Sequence, residues 1–114
     1  MKLYGGKNHR ITLEYARQLT QNFKDLNQDG ITIGGLFDKE SVMDVLNQPG
    51  CVALRYYHGI NEEDKTVLVI LGVDQRGHDI LNGIIIERAF PCPPYCGEIN
   101  SLIDQEHKEK NVVI

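Results

Sequence analysis

The spacing of apolar positions changes partway along this chain, and the change divides it into a helical part and a stranded part. Ala16, Leu19, Phe23 and Leu26 recur at helical spacing with Tyr15 beside them, while Glu14, Arg17, Gln18, Gln21, Lys24 and Asp25 are polar. That period marks one face of an amphipathic helix, expected from Thr12 to Asn27. Thr12 can accept a hydrogen bond from the first turn, and Asn27-Gln28-Asp29-Gly30 ends the helix. Ile31-Thr32-Ile33 reads as a short strand and Gly34-Gly35 as a flexible joint. A second helix is expected after Asp38, where Phe37 and Val42 have the spacing of a hydrophobic staple. Val42, Val45 and Leu46 form its stripe, and Asn47 to Gly50 stop it because Pro49 cannot continue a helix.

From Cys51 onward the pattern is that of strands. Cys51 to Tyr57 is rich in residues that suit a pleated surface. Ile60 to Lys65 is a charged hairpin loop. Thr66 to Val73 is the strongest strand, and Asp74-Gln75-Arg76-Gly77 is a tight turn ending in a glycine bulge. His78 to Phe90 returns as a third strand, bent at Gly83. A helix over part of 79–88 is the alternative for this last segment. Residues 1–10 are a lead-in, with Leu3-Tyr4 against the core, and 98–114 a mobile tail with a short helix over 100–110.

Helices followed by strands predict an α+β fold rather than a parallel α/β sheet. Two N-terminal helices are expected to pack on a three- to four-stranded antiparallel meander, in a single domain spanning 1–114. Val67, Val69, Leu71 and Val73 face one way from the central strand, and Leu68 and Ile70 the other. A strand wet on one face would alternate with polar residues. Both faces are therefore expected to be covered, the second by the N-terminal segment, the tail or another subunit. A homodimer is the reading taken forward, with cover by the tail as its alternative.

The chain has 114 residues, 41% apolar and 25% charged, enough for a core. Its net charge of −4 and scattered lysines and arginines argue against a nucleic-acid partner. No apolar run approaches the ~20 residues of a membrane span, and the polar N-terminus carries no signal-peptide core. Cytoplasmic placement is expected, with thiols mostly reduced. Three cysteines cannot all pair within the chain.

Candidate chemistry centres on Pro91-Cys92-Pro93-Pro94-Tyr95-Cys96-Gly97, which holds two of the three cysteines and three of the four prolines. Proline removes amide donors and fixes φ, so this segment is neither helix nor central strand. The Cys-x-x-x-Cys spacing is not that of a thioredoxin-like site or a zinc knuckle. Packing in a rigid loop is the preferred reading of Cys92 and Cys96. A disulfide or redox role remains open, since a turn at Pro93-Pro94 could bring the sulfurs together. Metal binding also remains open, with Cys51 or a histidine (His58, His78 or His107) as further ligands, although no metal and no cofactor is expected. Asp25-Leu26-Asn27-Gln28-Asp29-Gly30 imitates the first half of a calcium loop, but Leu36 stands where the closing glutamate belongs.

Arg55-Tyr56-Tyr57-His58 places an arginine among apolar strand neighbours. Such a group can read a carboxylate, a phosphate or an aromatic ligand, but a structural pair between Arg55 and Glu87 is preferred. His78-Asp79 reads as a hairpin closure, because neighbours on a strand point to opposite faces. Phosphate loops, nucleophile elbows, zincin motifs and dinucleotide fingerprints are absent from the sequence.

Several segments together resemble a group of short bacterial proteins of uncharacterised function. They are Gly35-Leu36-Phe37, Leu46 to Cys51, Arg55-Tyr56-Tyr57, Gly72-Val73-Asp74, Gly77-His78-Asp79 and the closing Cys-Pro-Pro-Tyr-Cys. The resemblance covers most of 12–97 and implies a compact domain ending in a cysteine-proline signature. It brings no activity or ligand. The functional expectation is a small non-enzymatic binding module, dimeric, for a protein or small-molecule partner, with no nucleic-acid or membrane partner. Its expected surface is Cys92, Pro93, Pro94, Tyr95 and Cys96 with Arg55, Tyr57 and His78. The alternative is a thiol-redox or metal-binding protein using Cys92 and Cys96.

Overall fold

The computed structural model describes residues 2–27 and 31–103. The fold is α+β, as the order of periods predicts, with two helices, a three-stranded sheet and a two-stranded sheet. The chain divides into two compact units. The first comprises the N-terminal residues through Asn8 together with Phe37–Ala89, and the second His9–Leu36 together with the chain from Phe90 onward.

In the first unit, helix α2 (Lys39–Leu46) leads into strands β2 (Cys51–Ile60), β3 (Thr66–Asp74) and β4 (Ile85–Ile86). Asp38 caps α2 by accepting from the Ser41 N–H. The sheet has the expected antiparallel meander order β2-β3-β4, and α2 packs against all three strands. Asn61 closes the β2–β3 hairpin: its Oδ1 accepts from the Glu63 and Lys65 amides at 2.9 and 3.0 Å. Asp74 organises the next turn by accepting from the Arg76 and His78 amides. Those two N–H groups, His78's foremost, hold the Asp74 carboxyl below the usual carboxylate range. Gly77 takes φ +84°, the left-handed conformation that the turn requires.

The returning segment corrects the expected strand over 78–90. Asp79 bridges to Val73, and pairing resumes only where Ile85 faces Leu71. The chain thus takes six steps from Asp79 to Ile85 while β3 takes two from Val73 to Leu71. Gln48, just past α2, holds the excursion. Its Oε1 accepts from the Ile84 amide at 2.7 Å and its Nε2 donates to the Val45 carbonyl at 2.8 Å. No helix forms over 79–88 either.

Val45, Leu71 and Val73 are the buried apolar side chains of this unit. Both faces of β3 are covered, but unevenly. Val67 and Val69 are half-buried beside the buried Leu71 and Val73, while on the other face Gly72 is buried and Ile70 half-buried, and Leu68 is left exposed.

In the second unit, α1 (Leu13–Asp25) is capped by Thr12, whose Oγ1 accepts from the Tyr15 amide at 3.1 Å. Its expected apolar stripe is turned outward: Tyr15, Leu19, Phe23 and Leu26 are exposed, and Ala16, Thr20, Gln21 and Lys24 are the better-covered positions. Lys24 fixes part of this orientation by donating to the Leu102 carbonyl at 3.0 Å. The predicted strand at Ile31–Ile33 and joint at Gly34-Gly35 are displaced. Strand β1 is Gly34–Leu36, antiparallel to β5 (Phe90–Cys92). Residues 100–103 form a turn closed between Asn100 and Ile103. The rest of the expected tail helix, His107, and Gln28, Asp29 and Gly30 of the calcium-like motif lie outside the described residues. Among the described residues, no helix is long and apolar enough to cross a membrane.

Candidate functional site

The sheet register decides which polar groups meet. Directly opposed residues of an antiparallel pair share a face. Arg55 lies opposite Leu71, Tyr57 opposite Val69, and Asp79 opposite Val73, so all three project from one face. Asp79 accepts from Arg55 Nη1 through Oδ1 and from the Tyr57 hydroxyl through Oδ2, both at 2.5 Å. The same Arg55 nitrogen donates to the Gly77 carbonyl at 3.2 Å. Side-chain exposure is 34% for Arg55 and 17% for Asp79. Tyr4 of the N-terminal turn stands close by, its hydroxyl 3.1 Å from where a Cβ on Gly77 would lie.

This geometry corrects the expected Arg55–Glu87 pair. The structural-pair reading holds, but the partner is Asp79. The excursion after Ile80 takes Glu87 beyond the short β4, while the tight Asp74–Gly77 turn brings Asp79 back onto the ladder. In the sequence Asp79 reads only as part of a hairpin closure, and its role as the partner of Arg55 and Tyr57 is missed. The signal was its position just after the turn, which places it on the face of Arg55 and Tyr57. His78 takes part through its main chain: its N–H donates to Asp74 Oδ1, and its carbonyl accepts from the Asp74 amide.

Each group shifts its neighbours. The Tyr57 hydroxyl and then the Arg55 guanidinium hold the Asp79 carboxyl below its ordinary value. Asp79 holds the Tyr57 phenol above its ordinary value, since ionisation would place two anions in contact. It also raises Arg55. With a donor on each oxygen, Asp79 is an anchor and not a free base.

The signs give a pH prediction. The lowered carboxyl contributes stability that is complete above its unfolded value of about 3.9 and is lost as pH falls through the folded value. The raised phenol contributes stability that is complete below about 10 and is lost as pH rises through its folded value. Asp79→Asn is therefore expected to make the acid limb of the stability profile shallower. Urea midpoints from neutral pH downward check this, and an unchanged acid limb would remove Asp79 from that role.

In the second unit, Cys92 ends β5 and is joined to Cys96 by a disulfide, with their Cα atoms 4.9 Å apart. The intervening Cys92–Pro93 and Pro93–Pro94 peptides are cis. The Tyr95 amide donates to the Pro91 carbonyl at 2.8 Å, and Phe90 meets Tyr95 edge-on at 5.2 Å between ring centres. Cys92 and Cys96 are both buried, so packing and disulfide formation occur together. Cys51 is a free thiol of the first unit, directed at the Ala53 carbonyl. Among the described residues, no group of three or more His, Cys, Asp or Glu side chains is placed to hold a metal ion. Replacing Cys92 and Cys96 together by serine is expected to lower stability by about 2 kcal/mol, the chain-entropy value for so short a loop. Denaturant unfolding of the two proteins measures it.

Of the expected surface, Arg55 and Tyr57 are brought together by Asp79 within the first unit, and His78 precedes Asp79 in sequence. Cys92, Pro93, Pro94, Tyr95 and Cys96 form one closed turn in the second unit. Compared with protein-family models, curated proteins and solved structures, the chain matches none.

Proposed function

We propose that this protein is a small non-enzymatic interaction module that works as a homodimer. The observation that carries the reading is the outer face of the β2–β3 hairpin. Leu54, Tyr56, Ile60 and Leu68 share that face by register and are exposed, Tyr56 to 60% and Ile60 to 74%. Tyr56 and His58 pack their rings edge to face at 5.5 Å along the same row. Large apolar side chains grouped on one face mark contact surfaces more often than isolated ones do. On the opposite face both oxygens of Asp79 are occupied, by Arg55 and by Tyr57. Sedimentation velocity of the protein and of Tyr56→Ser tests this. A dimer that weakens in the variant while its melting temperature holds supports the reading, and a monomer at all accessible concentrations removes the dimeric part.

A thiol-redox role is the second reading, favoured by the Cys92–Cys96 bond. In a reducing compartment such as the cytoplasm expected for this chain, disulfides are mostly transient, catalytic or sensing. A dithiol would reduce the bond, itself becoming a disulfide while Cys92 and Cys96 each gain a proton. Reversible equilibration of the folded protein with a dithiol–disulfide buffer supports the role. A bond that yields only after unfolding makes it structural.

A further inference from the structure

We infer that the free edge of β2 is the homodimer contact, pairing antiparallel with β2 of a second copy about a two-fold axis at Tyr56. The inference rests on the homodimeric reading above and names its surface. Among the described residues, strand β2 is hydrogen-bonded to β3 alone in the order β2-β3-β4, so its other edge presents backbone donors and acceptors that no described strand pairs. Natural edge strands are protected by shortness, proline, charge or bulges. This one runs from Cys51 to Ile60, contains no proline, and has its register shift confined to the Cys51/Ala53 end. Its one Lys, Arg, Asp or Glu is Arg55, whose guanidinium is held on Asp79.

The best complement to such an edge is one equally long and equally free, which a second copy supplies. The side chains then select the register. A two-fold axis perpendicular to the sheet keeps each face continuous across the junction. Placed at Arg55, it would set the two arginines against each other, and like charges directly opposed are destabilising. Placed at Tyr57, it would leave the start of β2 unpaired. Placed at Tyr56, it aligns Val52–Ile60 of both copies from end to end. Arg55 then faces the second copy's Tyr57, Leu54 faces its His58, and the two Tyr56 rings meet on the axis. The exposed row of Leu54, Tyr56 and His58 becomes continuous across the dimer, within one six-stranded sheet.

Cysteine cross-linking of the full chain on a Cys51→Ser background tests the register, with sedimentation velocity giving the mass before oxidation. Opposed Cα atoms in an antiparallel pair lie about 4.5–5.5 Å apart, within disulfide reach. Tyr56→Cys is therefore expected to link to itself under mild oxidant. Leu54→Cys, about 13 Å from its own copy at 3.3 Å per residue, is not, but it links to His58→Cys when the two are mixed. Amide exchange on the unmodified protein is expected to show β2 amides gaining protection as concentration rises. A monomer overturns both the homodimer and its edge. A dimer whose β2 amides stay unprotected, or in which Leu54→Cys links to itself as readily as Tyr56→Cys, overturns the edge and leaves the homodimer standing.

Discussion

Leu71→Ala is expected to destabilise the fold by about 2–5 kcal/mol, the range for emptying a buried leucine site. Leu71 is 2% exposed, lies between Arg55 of β2 and Ile85 of β4, and is flanked along β3 by Val69 and Val73. Removing its branch loses burial and leaves a cavity that a paired central strand cannot easily close. Domains of this size are stable by about 5–15 kcal/mol, so the loss is a large fraction of the whole. The urea midpoint should fall with little change in slope. Leu68→Ala, three residues away on the other face and 37% exposed, should cost clearly less. Equal losses at the two positions would mean that the core is not on the Leu71 face.

Gly83→Ala is expected to cost about 1–3 kcal/mol, the range for overpacking. A Cβ there would run into Gln48 Oε1 and lie 3.0 Å from Ile80 Cγ2. A glutamine side chain usually swings aside at little cost. This one is held at both ends, by the Ile84 amide and by the Val45 carbonyl. Moving it gives up two hydrogen bonds worth about 1 kcal/mol each. In a Gln48→Ala background the main obstruction is gone and only the approach to Ile80 Cγ2 remains, so Gly83→Ala should cost clearly less, with a coupling of about 0.5–3 kcal/mol. Strict additivity would assign the cost to the backbone instead.

Local physics made much of the fold legible in the sequence. The caps at Thr12 and Asp38, the Asp74–Gly77 turn and the β2–β3 hairpin each rest on interactions a few residues apart. What stayed hidden depends on distant partners. Nothing local says that Gly34-Gly35 will pair with Pro91 and Cys92, since glycine and proline are poor strand residues. The break in the last strand needs Gln48, whose role appears only when α2 lies beside Ile84. The outward turn of Leu19 and Phe23 on α1 contradicts a period that usually marks a buried face. The site followed the same division. Arg55 and Tyr57 were recognisable as unusual on an apolar strand. Their anchor was not, because choosing Asp79 over Glu87 depends on where pairing stops.

The β1–β5 ladder carries a consequence for the architecture. Leu36 stands opposite Phe90, so everything from 37 to 89 departs and rejoins at facing rungs. That stretch is a cassette whose two ends meet at one pair of rungs, while the N-terminal residues of the same unit join the chain between Asn8 and His9. Its ends are already fixed side by side, so its length or content can change without altering the register of the β1–β5 ladder. A graft of the α2–β4 cassette has two attachment points at those rungs, and the N-terminal residues that cluster with it add a third between Asn8 and His9. A chain organised in this way can diversify one unit by exchange while conserving the other.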